Sequence, residues 1–177
     1  MNNPLIVTLR FLILLFVQIF LCNHIHFFGF INPYIYIMAI LLMPLTLSRY
    51  VQYLIAFSAG LVVDAFFMTY GVHASACLLV AFARPYLIDL LDSSRTIDDN
   101  TLLPMPEIKS FGWLFGYTFI LSFLHHLCTA LLERFSFHSF VLTFIFSILN
   151  AIFTTAVILC VEYILFSRKK YRKSRSK

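Results

Sequence analysis

Long apolar stretches are the feature of this sequence that most restricts its fold. Hydrophobic residues occupy 61% of the 177 positions and charged residues only 12%, whereas soluble domains carry about 25% charged residues. A helix that crosses the hydrocarbon core needs about 20 apolar residues, and open sheets or irregular backbone would leave amides unpaired in lipid. We therefore predict an all-α integral membrane protein with six transmembrane helices, at residues 5–22, 33–47, 50–69, 72–91, 111–132 and 139–166.

Basic residues are distributed unevenly between the two sides of this predicted bundle. With both termini inside, twelve of the 13 Lys and Arg residues fall on the inner side, and only Arg134 falls outside. Inner loops of membrane proteins are enriched in Lys and Arg, so the charges favour an even number of spans and cytoplasmic termini. The first apolar stretch then stays in the membrane, because no small-residue cleavage site follows it.

The remaining polar sequence leaves no room for a separate soluble domain. We predict one transmembrane domain at residues 1–167, with an inner loop at about 92–110, and a basic tail at 168–177. A basic cluster directly after a span is typical of an anchor on anionic lipid headgroups. It does not suggest a groove for nucleic acid.

Charged residues interrupt the third and fourth predicted spans, which form one helical hairpin. The hairpin reads Gly60-Leu-Val-Val-Asp64, then Gly71-Val-His73-Ala-Ser-Ala, then Arg84-Pro85. A central Asp or Arg costs about 2.5 to 3.5 kcal/mol on insertion, so such residues usually face the protein interior and have partners there. Gly60 and Asp64 share one helix face, and small residues at such a face let helices approach closely. We expect function or assembly to depend on this hairpin.

Polar side chains at similar depth define a candidate buried cluster. Asp64, His125 and His126 lie about equally far from the outer ends of their spans, and Gln18 lies somewhat nearer its own. The cluster is either a proton or ligand site, or hydrogen-bonded glue between helices, and glue is the favoured interpretation. For Arg84, either an ion pair with Glu162 or snorkelling to the headgroups is expected.

The sequence offers little for catalysis or metal binding. Ser75 with His125 is the only combination of nucleophile and base that the predicted spans allow, and it lacks an oxyanion donor. The acidic run at 98–100 is better explained as a solvated loop than as a metal site. The His-x-His pair at 24–26 belongs to an interfacial aromatic belt, and His73 is expected at the interface too. We predict no enzyme, no metal and no cofactor.

Short motifs recur in a fixed order along nearly the whole chain. They are Asn23-His-Ile, Asn32-Pro33-Tyr34-Ile-Tyr36, Leu42-Met-Pro44-Leu, Gly60-Leu-Val-Val-Asp64, Gly71-Val-His73-Ala74 and Arg84-Pro85. Taken in order, these motifs resemble the family of the bacterial rod shape-determining protein MreD. The most distinctive part of the likeness is the Gly-Leu-x-x-Asp, Gly-x-His-Ala, Arg-Pro series.

The resemblance implies a non-catalytic component of the cell-elongation machinery in the bacterial inner membrane. Its partners would be MreC, the MreB filament, and the synthase formed by RodA and a penicillin-binding protein. The implied fold is similar to the substrate-binding S components of energy-coupling-factor transporters, which have six spans. The resemblance marks Gly60, Asp64, Gly71, His73, Arg84 and Pro85 as motif positions, for partner binding or for the fold.

Two functions from different classes follow. The leading one is a scaffold whose close-packed hairpin binds the single membrane anchor of an MreC-like protein. The alternative is a small-molecule-binding S subunit of a vitamin-type energy-coupling transporter, with a ligand near Asp64 and His125. Against the alternative, the first span lacks the alanine-x3-alanine surface that such subunits present to their energising partner. An intramembrane enzyme is third.

Overall fold

The computed structural model describes residues 4–20, 32–92, 110–134 and 140–174, and all of its regular structure is helical. Four helices in these residues are long and apolar enough to cross a membrane. The apolar part of the last of them is Phe140–Ile164. The helices are α1 (Pro4–Phe20), α2 (Ile37–Leu41), α3 (Arg49–Phe67), α4 (Val72–Leu91), α5 (Phe111–Arg134) and α6 (Phe140–Ser174).

The long helices pack in chain order. α3 contacts chiefly α4, α4 also contacts α5, and α5 contacts α6, while α1 and α2 add smaller contacts against this row. α3 therefore has only one extensive helix neighbour within the described chain. A buried core forms where the segment at 32–48 meets the row, and Tyr36, Ile37 and Ile40 in that segment are wholly buried.

Five of the six predicted spans agree with the observed helices within a few residues, except that α6 continues to Ser174. The second prediction, a helical span over 33–47, is wrong, because α2 covers only five residues. Pro44 has no amide hydrogen to continue a helix. The amides of residues 32 and 34–36 bond instead to side chains of neighbouring helices. The predicted motifs at 23–31 and 93–109 lie outside the described residues, as do the tail side chains.

The segment at 32–48 runs along the inside of the bundle. At its start, the Tyr34 ring lies 5.3 Å from that of His73, near the beginning of α4. Near its end, the Met43 carbonyl accepts a hydrogen bond from Arg84. Eleven residues separate His73 from Arg84, which is about 16 Å along a helix. Irregular backbone is tolerated at membrane depth only where protein buries it, and this segment meets that condition.

Candidate functional site

Asp64 of α3 caps the first turn of α4. Its Oδ1 accepts hydrogen bonds from the Thr69 hydroxyl at 2.5 Å and from the His73 amide at 2.9 Å. Its Oδ2 accepts one from the Ala74 amide at 2.9 Å. The first amides of a helix have no partner within the helix and carry partial positive charge. A carboxylate from the preceding helix satisfies them here, and α3 is thereby fixed to α4.

Gly60 lies one turn earlier on α3, where the two helices touch. A Cβ built at Gly60 would lie within 2.6 Å of the Ala74 amide nitrogen and of the His73 carbonyl oxygen, and it would also collide with the Ala74 Cα. No side chain fits against backbone at that distance. The turn between the helices uses left-handed backbone at Gly71, with φ +83°, which glycine adopts at little cost. The motif positions Gly60, Asp64 and Gly71 therefore build one contact.

His73 is wholly buried, so the expectation of an interfacial histidine was wrong. Its Nδ1 lies 3.0 Å from Asp64 Oδ1, and this is the only ion-pair contact among the described residues. The ring packs edge-on against Tyr34. The burial of the ring goes with its own contacts, namely the Asp64 carboxylate and the rings of Tyr34 and Phe67.

The two histidines of α5 contact the segment at 32–48. His125 Nε2 lies 2.7 Å from the Tyr36 hydroxyl. His126 Nε2 lies 2.9 Å from the Thr154 hydroxyl of α6, and its ring stacks on Tyr34 with the centroids 4.7 Å apart. Both histidines are buried.

Gln18 of α1 lies on the other side of the same segment. Its Oε1 accepts hydrogen bonds from the amides of Ile35, at 2.8 Å, and Tyr36, at 3.4 Å. The predicted cluster of Gln18, His125 and His126 is thus assembled around residues 34–36. Asp64 bonds to His73 and not to His125 or His126, so the contact considered between Asp64 and an α5 histidine is replaced by one within the hairpin.

Sequence reasoning missed Tyr34 and Tyr36 as members of the site. Their rings lie between the histidines of α4 and α5. The signal that was available is the Tyr-x-Tyr spacing next to Asn32-Pro33. This spacing did not indicate a shared site, because a regular helix at 33–47 would point the two rings in different directions.

Arg84 forms a second buried polar centre, toward the other end of the bundle. Its Nε donates to the Tyr117 hydroxyl at 2.9 Å, its Nη1 donates to Gln52 Oε1 at 3.0 Å, and its Nη2 donates to the Met43 carbonyl. The Tyr117 hydroxyl in turn donates to the Leu41 carbonyl at 3.0 Å. The expected ion pair of Arg84 with Glu162 does not form, and Arg84 does not snorkel, since it is buried.

Two ring nitrogens in the first cluster have no partner among the described residues, namely His73 Nε2 and His125 Nδ1. His73 Nδ1 donates to the Asp64 carboxylate, so its Nε2 is an acceptor. Where Tyr36 donates to His125 Nε2, the Nδ1 of His125 carries the proton and is a donor. The two rings lie 6.3 Å apart. With this tautomer of His125, the cluster offers one buried acceptor and one buried donor.

The described residues include no group of three or more His, Cys, Asp or Glu placed to hold a metal ion. Ser75 is exposed, and its hydroxyl donates to the Gly71 carbonyl at 2.7 Å, not to His125. The nucleophile and base considered above are therefore not in contact.

These features define the class of the protein, which is a helical membrane protein with a polar interior. No family model, no curated protein and no solved structure matches the chain. The resemblance to MreD therefore stays a prediction from the residues quoted above.

Proposed function

We propose that this protein is a non-catalytic scaffold of the bacterial cell-elongation complex in the cytoplasmic membrane. It binds the membrane anchor of an MreC-like single-span protein, and through that partner it is linked to the RodA and penicillin-binding synthase and to MreB. The ordered motif series from Gly60 to Pro85 is the basis for choosing this complex.

The structural observation that carries the proposal is the unequal use of the two sides of α3. On the inward side, Gly60 and Asp64 fix α3 to α4. On the outward side, Leu54, Phe57 and Leu61 are exposed, and α3 has no second extensive helix neighbour in the described chain. A rigid edge helix with a free apolar side is suited to pairing with one more transmembrane helix, because such pairing depends on close side-chain packing.

The test compares two bulky substitutions on exposed positions of different helices. Leu61 on α3 and Ile152 on α6 are 51% and 48% exposed, and both lie near the middle of their spans. Leu61→Trp places a large ring where the partner helix would pack, and Ile152→Trp places the same ring elsewhere. The tagged chain is recovered from native membranes in mild detergent, and the proteins that accompany it are identified.

We expect an MreC-like single-span protein to be recovered with the unmodified chain and with Ile152→Trp. The amount recovered with Leu61→Trp should be about tenfold lower, which corresponds to a loss of about 1.4 kcal/mol of binding free energy. Equal recovery with both variants would exclude α3 as the docking side. Recovery of transport ATPases in place of the elongation proteins would overturn the scaffold proposal as a whole.

The second candidate, a small-molecule-binding subunit of an energy-coupling transporter, has one observation in its favour. A polar ligand with a donor and an acceptor would satisfy both His73 Nε2 and His125 Nδ1. The test is mass spectrometry of small molecules that stay with the purified chain. A ligand that is retained by the unmodified protein and lost from His125→Phe would favour this candidate over the scaffold.

A further inference from the structure

A cleft opens at the end of the bundle where α3 begins. Its volume is about 120 Å³, whereas a single water needs only roughly 10 to 15 Å³, so a group of the size of a phosphate fits. The walls combine apolar side chains with two arginines. The residues that matter for the argument are Leu45, Leu47, Arg49, Arg84, Ile88 and Asp89.

Arg84 brings an uncompensated charge to this cleft. Its side chain is 1% exposed, and its three hydrogen-bond acceptors, on Tyr117, Gln52 and Met43, are all neutral oxygens. No carboxylate of the described residues lies within 4.0 Å of it. A guanidinium carries five N–H donors, so two remain after these bonds. Buried charges are normally paired, because an isolated one is costly in an apolar medium.

Two further features add positive potential at the same place. Arg49 is exposed at the rim of the cleft and is also the first residue of α3. The preceding residue, Ser48, makes no side-chain capping hydrogen bond, so the α3 N-terminus keeps its partial positive charge. Asp89, which is exposed on α4, is the one acidic residue in the lining and leaves the lining with a net positive charge.

We propose that this cleft binds the phosphate group of an anionic lipid, with Arg84 at its floor and Arg49 at its rim. The planar fork of an arginine matches phosphate oxygens with two parallel hydrogen bonds. The leucine and isoleucine walls favour a lipid over free phosphate, because they would contact the glycerol and upper acyl carbons. Exposed Tyr50 and Leu90, which directly follow the lining residues Arg49 and Asp89, continue the apolar surface beside the cleft. The site is independent of the partner that the bundle binds.

The test measures phosphatidylglycerol retained by the full chain, by native mass spectrometry after exchange in nanodiscs of phosphatidylcholine and phosphatidylglycerol. Arg49→Gln removes the rim charge, and Leu47→Trp fills the cleft without changing any charge. Arg10→Gln is the matched control, since Arg10 lies on α1 outside the cleft. The basic tail is unchanged in every variant, so its own attraction for anionic lipid cancels.

We expect both cleft variants to retain roughly tenfold less phosphatidylglycerol than the unmodified chain, because one loses a charge-assisted contact and the other loses the space for the lipid. Arg10→Gln should retain as much as the unmodified chain. Equal retention by Arg49→Gln and Arg10→Gln would overturn the proposal. If Arg49→Gln does not fold, equal retention by Leu47→Trp and Arg10→Gln would overturn the proposal instead. If inorganic phosphate raises the melting temperature in detergent as much as phosphatidylglycerol does, the cleft is a site for free anions and the lipid assignment fails.

Discussion

At the residue scale, Gly60 is required by the distance between two backbones. Replacing it with alanine places a methyl group against the backbone of His73 and Ala74, and backbone cannot move aside as a flexible side chain can. Overpacking typically costs about 1 to 3 kcal/mol, and we expect Gly60→Ala to fall at the upper end. The measurement is thermal unfolding of the purified chain in detergent.

Gly116 on α5 is the matched control for this prediction, because nothing lies within 4 Å of a Cβ built there. Gly116→Ala should be neutral, or stabilise the protein by about 0.5 to 1 kcal/mol through helix propensity. If both substitutions had the same effect, the close approach of α3 and α4 would not be a constraint on the fold.

Asp64 stabilises the same contact by hydrogen bonding. Asp64→Leu leaves the amides of His73 and Ala74 buried without an acceptor, and each such group costs about 1 to 3 kcal/mol. Asp64→Asn keeps one acceptor oxygen, so we expect a smaller loss. Hydrogen exchange at the first turn of α4 measures the effect directly, and the exposed Asp89→Asn on the same helix should leave that exchange unchanged. Equal exchange in Asp64→Leu and the unmodified chain would contradict the capping role.

At the element scale, the segment at 32–48 is held in place by side chains from several helices. In a regular helix, its amides and carbonyls would instead bond to one another. Gln18, Asn150 and Thr154 accept bonds from its first amides, and Arg84, Tyr117 and Gln52 donate to carbonyls near its end. The buried side chains of Gln18, Gln52, Arg84 and Thr154 thereby have a structural task. The favoured interpretation of the polar cluster, glue between helices, accounts for these contacts.

A single acceptor in this arrangement can be tested. Gln18→Leu keeps the size of the side chain but leaves the amides of Ile35 and Tyr36 without their partner. With each orphaned amide costing about 1 to 3 kcal/mol, we expect faster hydrogen exchange at 34–36 and a lower melting temperature. Phe16→Leu, on the exposed side of the same helix, is the control and should change neither. Unchanged exchange in Gln18→Leu would show that the segment does not need α1.

The elements that the sequence predicted well are those whose helical structure is required by contact with lipid. Apolar length alone fixed α3, α4, α5 and the apolar part of α6 within a few residues, because a lipid-facing chain has no alternative to a helix. The segment at 33–47 is equally apolar, but neighbouring side chains replace its internal hydrogen bonds. That replacement depends on Gln18 and Thr154, which are 15 or more positions away, and no local pattern records it. The wrong partner for Asp64 has a different cause. His73 is only nine positions away, but it was placed at the membrane interface, so the comparison of depths selected His125.

At the scale of the whole molecule, the number of membrane crossings depends on this one segment. It begins beside the first turn of α4 and ends beside Arg84 and the start of α3, so it traverses the bundle even though only five of its residues are helical. Counted with α1 and the four long helices, it would complete the six crossings that the sequence predicts. An even count is also what the predicted placement of twelve of the 13 basic residues on one side favours.

The crossing predicts that the two ends of the chain lie on the same side of the membrane. Green fluorescent protein fused to either terminus should fluoresce, because it folds in the cytoplasm and not after export, and alkaline phosphatase at either terminus should be inactive. Either reporter inserted at residues 135–139, between α5 and α6, should give the opposite result, which makes this position the internal control. If the segment at 32–48 entered and left on one side, the chain would cross five times and one terminus would report as exported. The basic tail would then lie on the other side of the membrane from Arg10, and the distribution of basic residues would no longer support the predicted orientation.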